Sequence, residues 1–465
     1  MSKIKLYIFS LIAIVLIASS FFIVKVTKAR SEIYSYDTTK SYMYDFNQSN
    51  ANISDLDFKN GKFTLAKSDN ANRSAFLKVN VESAFMGKYL QPSIELTTEK
   101  KSITQYFERG AKGIRYINIS SLLVKGKVDI AFKENHVSIN EQVQLISFKN
   151  QDIRKLKILV LAPHPDDAEI AAYGLYSDNN QAYVVTITAG DAGKFKYNEI
   201  YKNKIQHYLK KGELRTWDSI TVPLLGGISA EHILNLGFFD LTLQKMFNDK
   251  SKEIGGFYTN ALDINTYRKL NISKLSTSLS GNSSWNSFVE NLTYLLKEIK
   301  PDIIVTPYPA LDPHPDHKLT SVALFEAIKA SGIRDGNLYL YLNHFVLNEY
   351  YPYGKEGGTI SLPPHFEDKK IYFDGIYSHS LSDDKQKDKL FALEAMHDLR
   401  LDTEWRFSKS TIKFAWKQIL RDIMGRDDSD YSYYRRFVRS NELFFVVKIN
   451  NIYNKNILES LKGKL

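Results

Sequence analysis

Apolar and polar positions follow three different rhythms along the chain, and each predicts a different architecture. From about Leu6 to Val24 the residues are apolar almost without interruption, with Lys3, Lys5, Lys25 and Lys28 on the flanks. As a helix, a run of that length reaches across a bilayer. Small residues at a cleavage site are poorly represented, with Thr27 two positions before Ala29, so an uncleaved anchor is favoured over a cleaved signal peptide. The expectation is a single-pass membrane anchor over residues 1–30, with everything beyond Arg30 outside the cytoplasm (periplasmic or otherwise extracytoplasmic). Basic residues on both flanks leave the orientation open.

Residues 31–45 are polar and rich in Tyr, Ser, Thr and Lys, as a spacer would be. Over 46–152 the period becomes two. Val128, Ile130 and Phe132 share one face, Val137 and Ile139 repeat the pattern, and "VQLISF" adds another run, with Gly, Asn and Asp clusters between them. Alternation broken by turn signals predicts an antiparallel β-sandwich. Such a module on an anchored enzyme suits glycan binding, with Tyr106 or Tyr116 as stacking rings because no Trp precedes Trp217. A purely structural spacer is the alternative, since fold alone does not assign function.

Near Lys155 the rhythm changes again. "LKILVLA", "AYVVTITAG", "PDIIVTPY" and "ELFFVVKI" read as buried strands. Helical spacing appears over Ala168–Tyr176, in "KIQHYLKKGELRTWDSI", and over Trp285–Ile299, Lys318–Ala330 and Asp383–Leu399. Continuous apolar strands alternating with amphipathic helices predict a Rossmann-like α/β domain over 153–450, a mostly parallel sheet with helices on both faces. Residues 451–465 follow as a tail, and 250–284 reads as a long loop.

Composition narrows the chemistry. The 465 residues carry a net charge of +10 and a pI near 9.1, but the lysines are dispersed and form no basic arm, so a nucleic-acid partner is not expected. There is no cysteine, which removes disulfides, thiolate ligands and cysteine nucleophiles together. Any metal site must use His, Asp and Glu.

Two segments offer such ligands. "HPDD" follows the strand at 157–161, and "HPDH" follows the strand at 302–306 after a short loop. In an open α/β sheet both lie at the carboxyl edge, where ligands bind. His164 and Asp167, three residues apart at a helix start, can point the same way, and His317 can close a triangle. Two imidazoles and a carboxylate suit a zinc ion with one position left for water. Asp166 is then placed to take a proton from that water, and His314 to steady an oxyanion or assist a leaving group. Asp316 suits a partner that fixes a histidine tautomer. Taken alone, either segment is equally well a helix N-cap or a solvated turn.

At these residues the chain, from roughly 155 to 450, resembles the PIG-L (LmbE-like) family of zinc-dependent sugar de-N-acetylases. The resemblance implies His164, Asp167 and His317 as zinc ligands, Asp166 as general base and His314 beside the tetrahedral intermediate. "TITAGDAG" is similar to the family's Thr-x-Gly-x-x-Gly loop through Thr188, Gly190 and Gly193. "RTWDSITVPLLG" and "NLGFFD" resemble two further segments, implying Arg215 and Asp240 as sugar contacts. Asp218 stands where the family has Glu, Pro163 replaces the usual Ala, and Ala168 follows "HPDD", with Glu169 one place late. The expected activity is removal of acetyl from an N-acetylglucosamine-type sugar in an envelope glycan or glycolipid. Another zinc amidase or esterase is the alternative. A phosphoesterase would need more carboxylates and histidines, and a non-catalytic glycan-binding protein would not have kept the full ligand set. His397, on a predicted helix, is within reach of the site but reads better as a core or surface histidine.

Overall fold

The computed structural model describes residues 3–31, 33–65, 72–140, 142–279, 281–366, 371–400 and 434–464, together with isolated positions between 401 and 433. The expected 153–450 domain therefore has a stretch that lies outside the described residues.

The N-terminal helix α1 runs over Lys3–Ser31. Among the described residues no helix is long and apolar enough to cross a membrane. This corrects the expected single-pass anchor and the extracytoplasmic placement built on it.

Two antiparallel sheets follow. One contains β1 (Asn52–Asp57), β3 (Arg73–Ser83), β6 (Lys112–Asn118), β8 (Val137–Ile139) and β9 (Gln142–Lys149). The other contains β2 (Lys62–Leu65), β4 (Ser93–Thr97), β5 (Ser102–Tyr106) and β7 (Val128–Asn135). Leu77, Val79 and Ile117 of the first sheet share a core with Phe63, Ile94 and Ile130 of the second. The five-stranded sheet is not the face of a separate sandwich module. Its Phe76, Tyr116, Ile146 and Phe148 join the same core cluster as Leu159 and Leu161 of the next sheet. Nor do residues 31–45 hang free as a spacer: buried Arg115 donates to Thr38 O (2.6 Å) and Lys40 O (2.8 Å). Tyr116 is buried, and the Tyr106 ring packs against Gly354 and Gly358, so neither offers an open face for stacking.

The third sheet has seven strands: β10 (Ile158–Ala162), β11 (Ala182–Thr188), β12 (Ile233–Phe238), β13 (Ile303–Pro307), β14 (Asn337–Tyr341), β15 (Gly375–Ser380) and β16 (Asn441–Lys448). Their order is β12-β11-β10-β13-β14-β16-β15, parallel from β12 through β14, with β16 antiparallel to both its neighbours. The architecture is thus a mixed sheet joined to two antiparallel ones, rather than anchor, sandwich and parallel domain in series.

Side chains alternate across β10 and divide the core. Ile158, Val160 and Ala162 pack with α2 (Asp167–Ser177), α3 (Lys204–Leu225) and α8 (Asp383–Ala395). Leu159 and Leu161 face the other way, toward α6 (Trp285–Ile299) and α7 (Pro315–Ser331). The short helix α4 (Leu243–Asn248) follows β12, and α5 (Asn265–Arg268) lies within 250–284, so the expected long loop is partly structured. A last helix, α9, spans Lys455–Lys462. The chain leaves β10 toward β11 on one side and returns to pair β13 on the other. That reversal opens a crevice at the carboxyl ends of β10 and β13.

Candidate active site

The two His-Pro-Asp segments meet in this crevice. Pro163–Asp166 carries the chain from β10 into α2, and His314 is the N-cap of α7, with Pro315 at the first helical position. Three donor atoms converge. Asp167 Oδ2 lies 3.1 Å from His164 Nδ1 and 3.2 Å from His317 Nε2, and the two ring nitrogens are 3.3 Å apart. Three ligands at about 2.0–2.1 Å from one tetrahedral zinc are separated by roughly 3.3–3.4 Å, so this donor triangle fits such an ion in both spacing and chemistry. His164, His314 and His317 also form a possible ligand group, as do His164, Asp240 and Asp316. All of these share His164.

The outward nitrogens of both imidazoles are held. His317 Nδ1 meets Asp312 Oδ2 at 2.8 Å, and His164 Nε2 meets Asp240 Oδ1 at 3.1 Å and Asp316 Oδ2 at 3.4 Å. A carboxylate on the far ring nitrogen fixes which nitrogen faces the triangle. Asn343 donates from Nδ2 to Asp167 Oδ1 (2.7 Å) and to the Asp167 carbonyl (3.1 Å), so that carboxylate is oriented from both sides. Burial alone would lower the two imidazoles, but their carboxylate partners hold His164 well above its usual value and His317 up at about 10. Ligation would therefore release protons.

Asp166 occupies an unusual backbone position, φ 128° and ψ −27°. A non-glycine residue there costs about 1–3 kcal/mol and is retained only where its surroundings over-determine it. The Asp166 carbonyl accepts from Ile170 N (3.0 Å). Arg215 Nη2 donates to Asp166 Oδ2 (3.0 Å) and to Pro165 O (2.7 Å). Burial pushes the Asp166 carboxyl up to about 7, with Arg215 working against it. His314 lies beside the triangle, its ring 4.9 Å from those of both His164 and His317, and its Nδ1 is buried without a hydrogen-bond partner. Burial and the two neighbouring imidazoles push it down to about 3, so it is neutral.

The remaining expected residues serve the frame. Thr188 donates from Oγ1 (2.9 Å) and N (3.0 Å) to Pro163 O, pinning the loop that carries His164. Gly190 has φ 63°, and a Cβ there would stand 2.4 Å from Arg215 Nη1, so only glycine leaves room for the guanidinium. Arg215 and Asp240 are buried against Asp166 and His164 respectively. Asp316 also accepts from Leu241 N at 2.7 Å. His397 binds Asp218 through Nδ1 (2.7 Å) and N (2.9 Å), joining the end of α8 to α3 at a distance from the triangle.

Sequence reasoning passed over several residues. Asp312 stands two positions before His314 and accepts from its backbone N (2.9 Å), an Asx-type signal legible in "LDPHPDH". Asn343, Asp398 and His344 have no such local signal. Asp398 pairs with Lys211 (3.1 Å) and Arg215 (3.6 Å), and the His344 ring stacks 5.7 Å from that of His314.

With this geometry in hand, comparison with known proteins adds a family. Residues 159–328 match the profile of the PIG-L family, described as GlcNAc-PI de-N-acetylase. Among solved structures the chain is similar to the zinc-inhibited form of teicoplanin deacetylase Orf2, at 13% identity, with 63% of this chain and 98% of that one covered and a TM-score of 0.32. It is also similar to GalB, the 4-carboxy-2-hydroxymuconate hydratase from Pseudomonas putida KT2440, at 14% identity, 63% and 96% coverage and a TM-score of 0.30. A comparison with curated proteins gives no match.

Proposed function

We propose that this chain, whose residues 159–328 form a PIG-L family domain, is a metal-dependent hydrolase that removes the acetyl group from an N-acetylated amino sugar in a glycan or glycolipid. The observation that carries the reading is the donor triangle of His164, Asp167 and His317 with Asp166 and His314 beside it. These three residues would hold the ion. Bound zinc supplies a Lewis acid for the amide carbonyl and raises the acidity of water at neutral pH.

Asp166 accepts the proton of the attacking water, and Arg215 keeps that carboxylate aimed into the crevice. His314, neutral and with a free Nδ1, donates a hydrogen bond to the carbonyl oxygen as it gains charge. The water oxygen bonds to the acetyl carbon, the C–N bond breaks, and the proton held by Asp166 passes to the departing amine. Acetate and a free amino sugar are the products. Asp312, Asp240 and Asp316 keep the imidazoles in the orientation this requires.

The test is acetate release from N-acetylglucosamine-containing glycans by the full chain, before and after chelation and with zinc restored. Release that stops on chelation and returns with zinc is expected. Release indifferent to chelation, or none from any N-acetylated sugar, contradicts the proposal.

A further inference from the structure

Beyond the catalytic triangle, a ladder of rings runs along the same edge of the sheet. Tyr208 and Tyr258 stack with centroids 4.0 Å apart and planes 11° apart. Phe257 meets Tyr258 edge-on at 4.8 Å, and Phe195 lies 5.9 Å from Tyr208. Tyr208 is buried and donates to Gly193 O (2.8 Å), which anchors the ladder to the loop after β11. Lys204 Nζ covers the Tyr258 ring at 4.4 Å, and Lys245 Nζ stands 5.4 Å from the Phe257 centroid. The most exposed rings are the two phenylalanines, Phe195 37% and Phe257 46% exposed, with the Lys245 ammonium over one side of Phe257. Neither has a polar atom that would draw it toward water.

This ladder is continuous with the catalytic crevice. Tyr208, Lys211 and Arg215 occupy one buried face of α3. Along the helix, Tyr208 is about 10 Å from the Arg215 that orients Asp166. Gly256 presses that loop onto the wall of the site: a Cβ there would lie 3.2 Å from Asp191 Oδ2. Asp191 in turn accepts from Asp240 N at 2.8 Å, and Asp240 holds His164. At that separation a following sugar ring, rather than one seated over the triangle, would meet the ladder.

We propose that Phe195 and Phe257 form a subsite that stacks a neighbouring sugar ring of the substrate, so that the enzyme acts on an oligosaccharide chain rather than a free amino sugar. The inference rests on the deacetylase reading and names its substrate class. A pyranose presents an apolar C–H face to an aromatic ring and a rim of hydroxyls to donors, and here partly exposed rings stand beside two ammonium donors, Lys204 over Tyr258 and Lys245 over one side of Phe257. An acyl chain would need a continuous apolar groove, which those ammonium groups interrupt.

The experiment is calorimetric binding of N-acetylglucosamine and its β-1,4-linked tetramer to the full chain carrying Asp166→Asn, so that neither probe is consumed. Tetramer binding about tenfold or more tighter than monomer is expected. Adding Phe195→Ala and Phe257→Ala together should bring that ratio to within about twofold of one, and Phe257→Trp should restore it. A tetramer that binds no better than the monomer, a ratio that survives the double substitution, or equal weakening of both probes overturns the subsite. So does a double substitution that weakens octyl N-acetylglucosaminide and spares the tetramer, which assigns the rings to a lipid chain. Acetate release by the unmodified chain is read separately. Its absence alongside a length-dependent affinity defeats the deacetylase reading and leaves the subsite standing.

Discussion

Asp312 shows what a single side chain can contribute without touching substrate. Its carboxylate fixes the His317 tautomer at 2.8 Å and also caps the turn at His314 N. Replacing it by Asn keeps the shape but removes the charge that holds the imidazole. Asp312→Asn should therefore lower zinc affinity about 10- to 100-fold in a competition titration with a chelator. An unchanged affinity would show that His317 needs no such partner. At this scale, the residues that met in the triangle were legible because histidine-proline-aspartate after a buried strand is an uncommon pattern with few alternatives. Asn343 and Asp398 were not legible, because each approaches the site from a distant segment and nothing in its own neighbourhood marks it.

The helix after β10 gives the element-scale case. α2 contains a break at Ala172 (φ −144°, ψ 18°), where the carboxylate of Glu442 on β16 accepts from Gly174 N and Leu175 N, both at 2.9 Å. Lys389 of α8 closes the arrangement, donating to Glu442 Oε1 and to the Ile170 carbonyl, each at 2.8 Å, with both ionic side chains 1% exposed. Lys389→Ala leaves a buried carboxylate unpaired and should cost about 3–5 kcal/mol in denaturant unfolding. A loss under 1 kcal/mol would mean that the two amides satisfy Glu442 alone. The sequence showed a helix here but no break, since the disturbing carboxylate comes from over 250 residues away. The parallel strands were legible as continuous apolar runs. β15, "GIYSHS", was not, because half of it is polar. α7 begins at Pro315 rather than Lys318 because proline is well placed in a first turn.

At the scale of the whole molecule, period-two alternation located the antiparallel strands but said nothing of what lies against their outer face. Phe76, Tyr116, Ile146 and Phe148 fill one core with the catalytic sheet, so the two parts are not independent modules. The N-terminal apolar run predicted a bilayer span that no helix among the described residues provides. Charge also links distant parts. Asp178, at the end of α2, pairs with His379 Nε2 (2.9 Å) on β15 and Lys385 Nζ (3.0 Å) on α8. Burial would raise this carboxyl, but its hydrogen bonds to His379 and Lys385 hold it below its usual value. A carboxylate depressed in the folded state stabilises the fold above its unfolded pKa of about 3.9, and that contribution is lost as pH falls through the folded value. The stability gap between the natural chain and Asp178→Asn should accordingly shrink as pH falls below about 4. A gap that widens in acid would contradict the pairing.

The central claim, that a metal held by His164, Asp167 and His317 works with Asp166 on an acetamide, is tested most directly by one paired measurement on Asp166→Asn: bound zinc and acetate release. Because the ligand triangle does not include Asp166, zinc content should match that of the natural chain. Release should fall by a factor of about 100 or more. Undiminished release, or a variant that no longer holds zinc, would contradict the account.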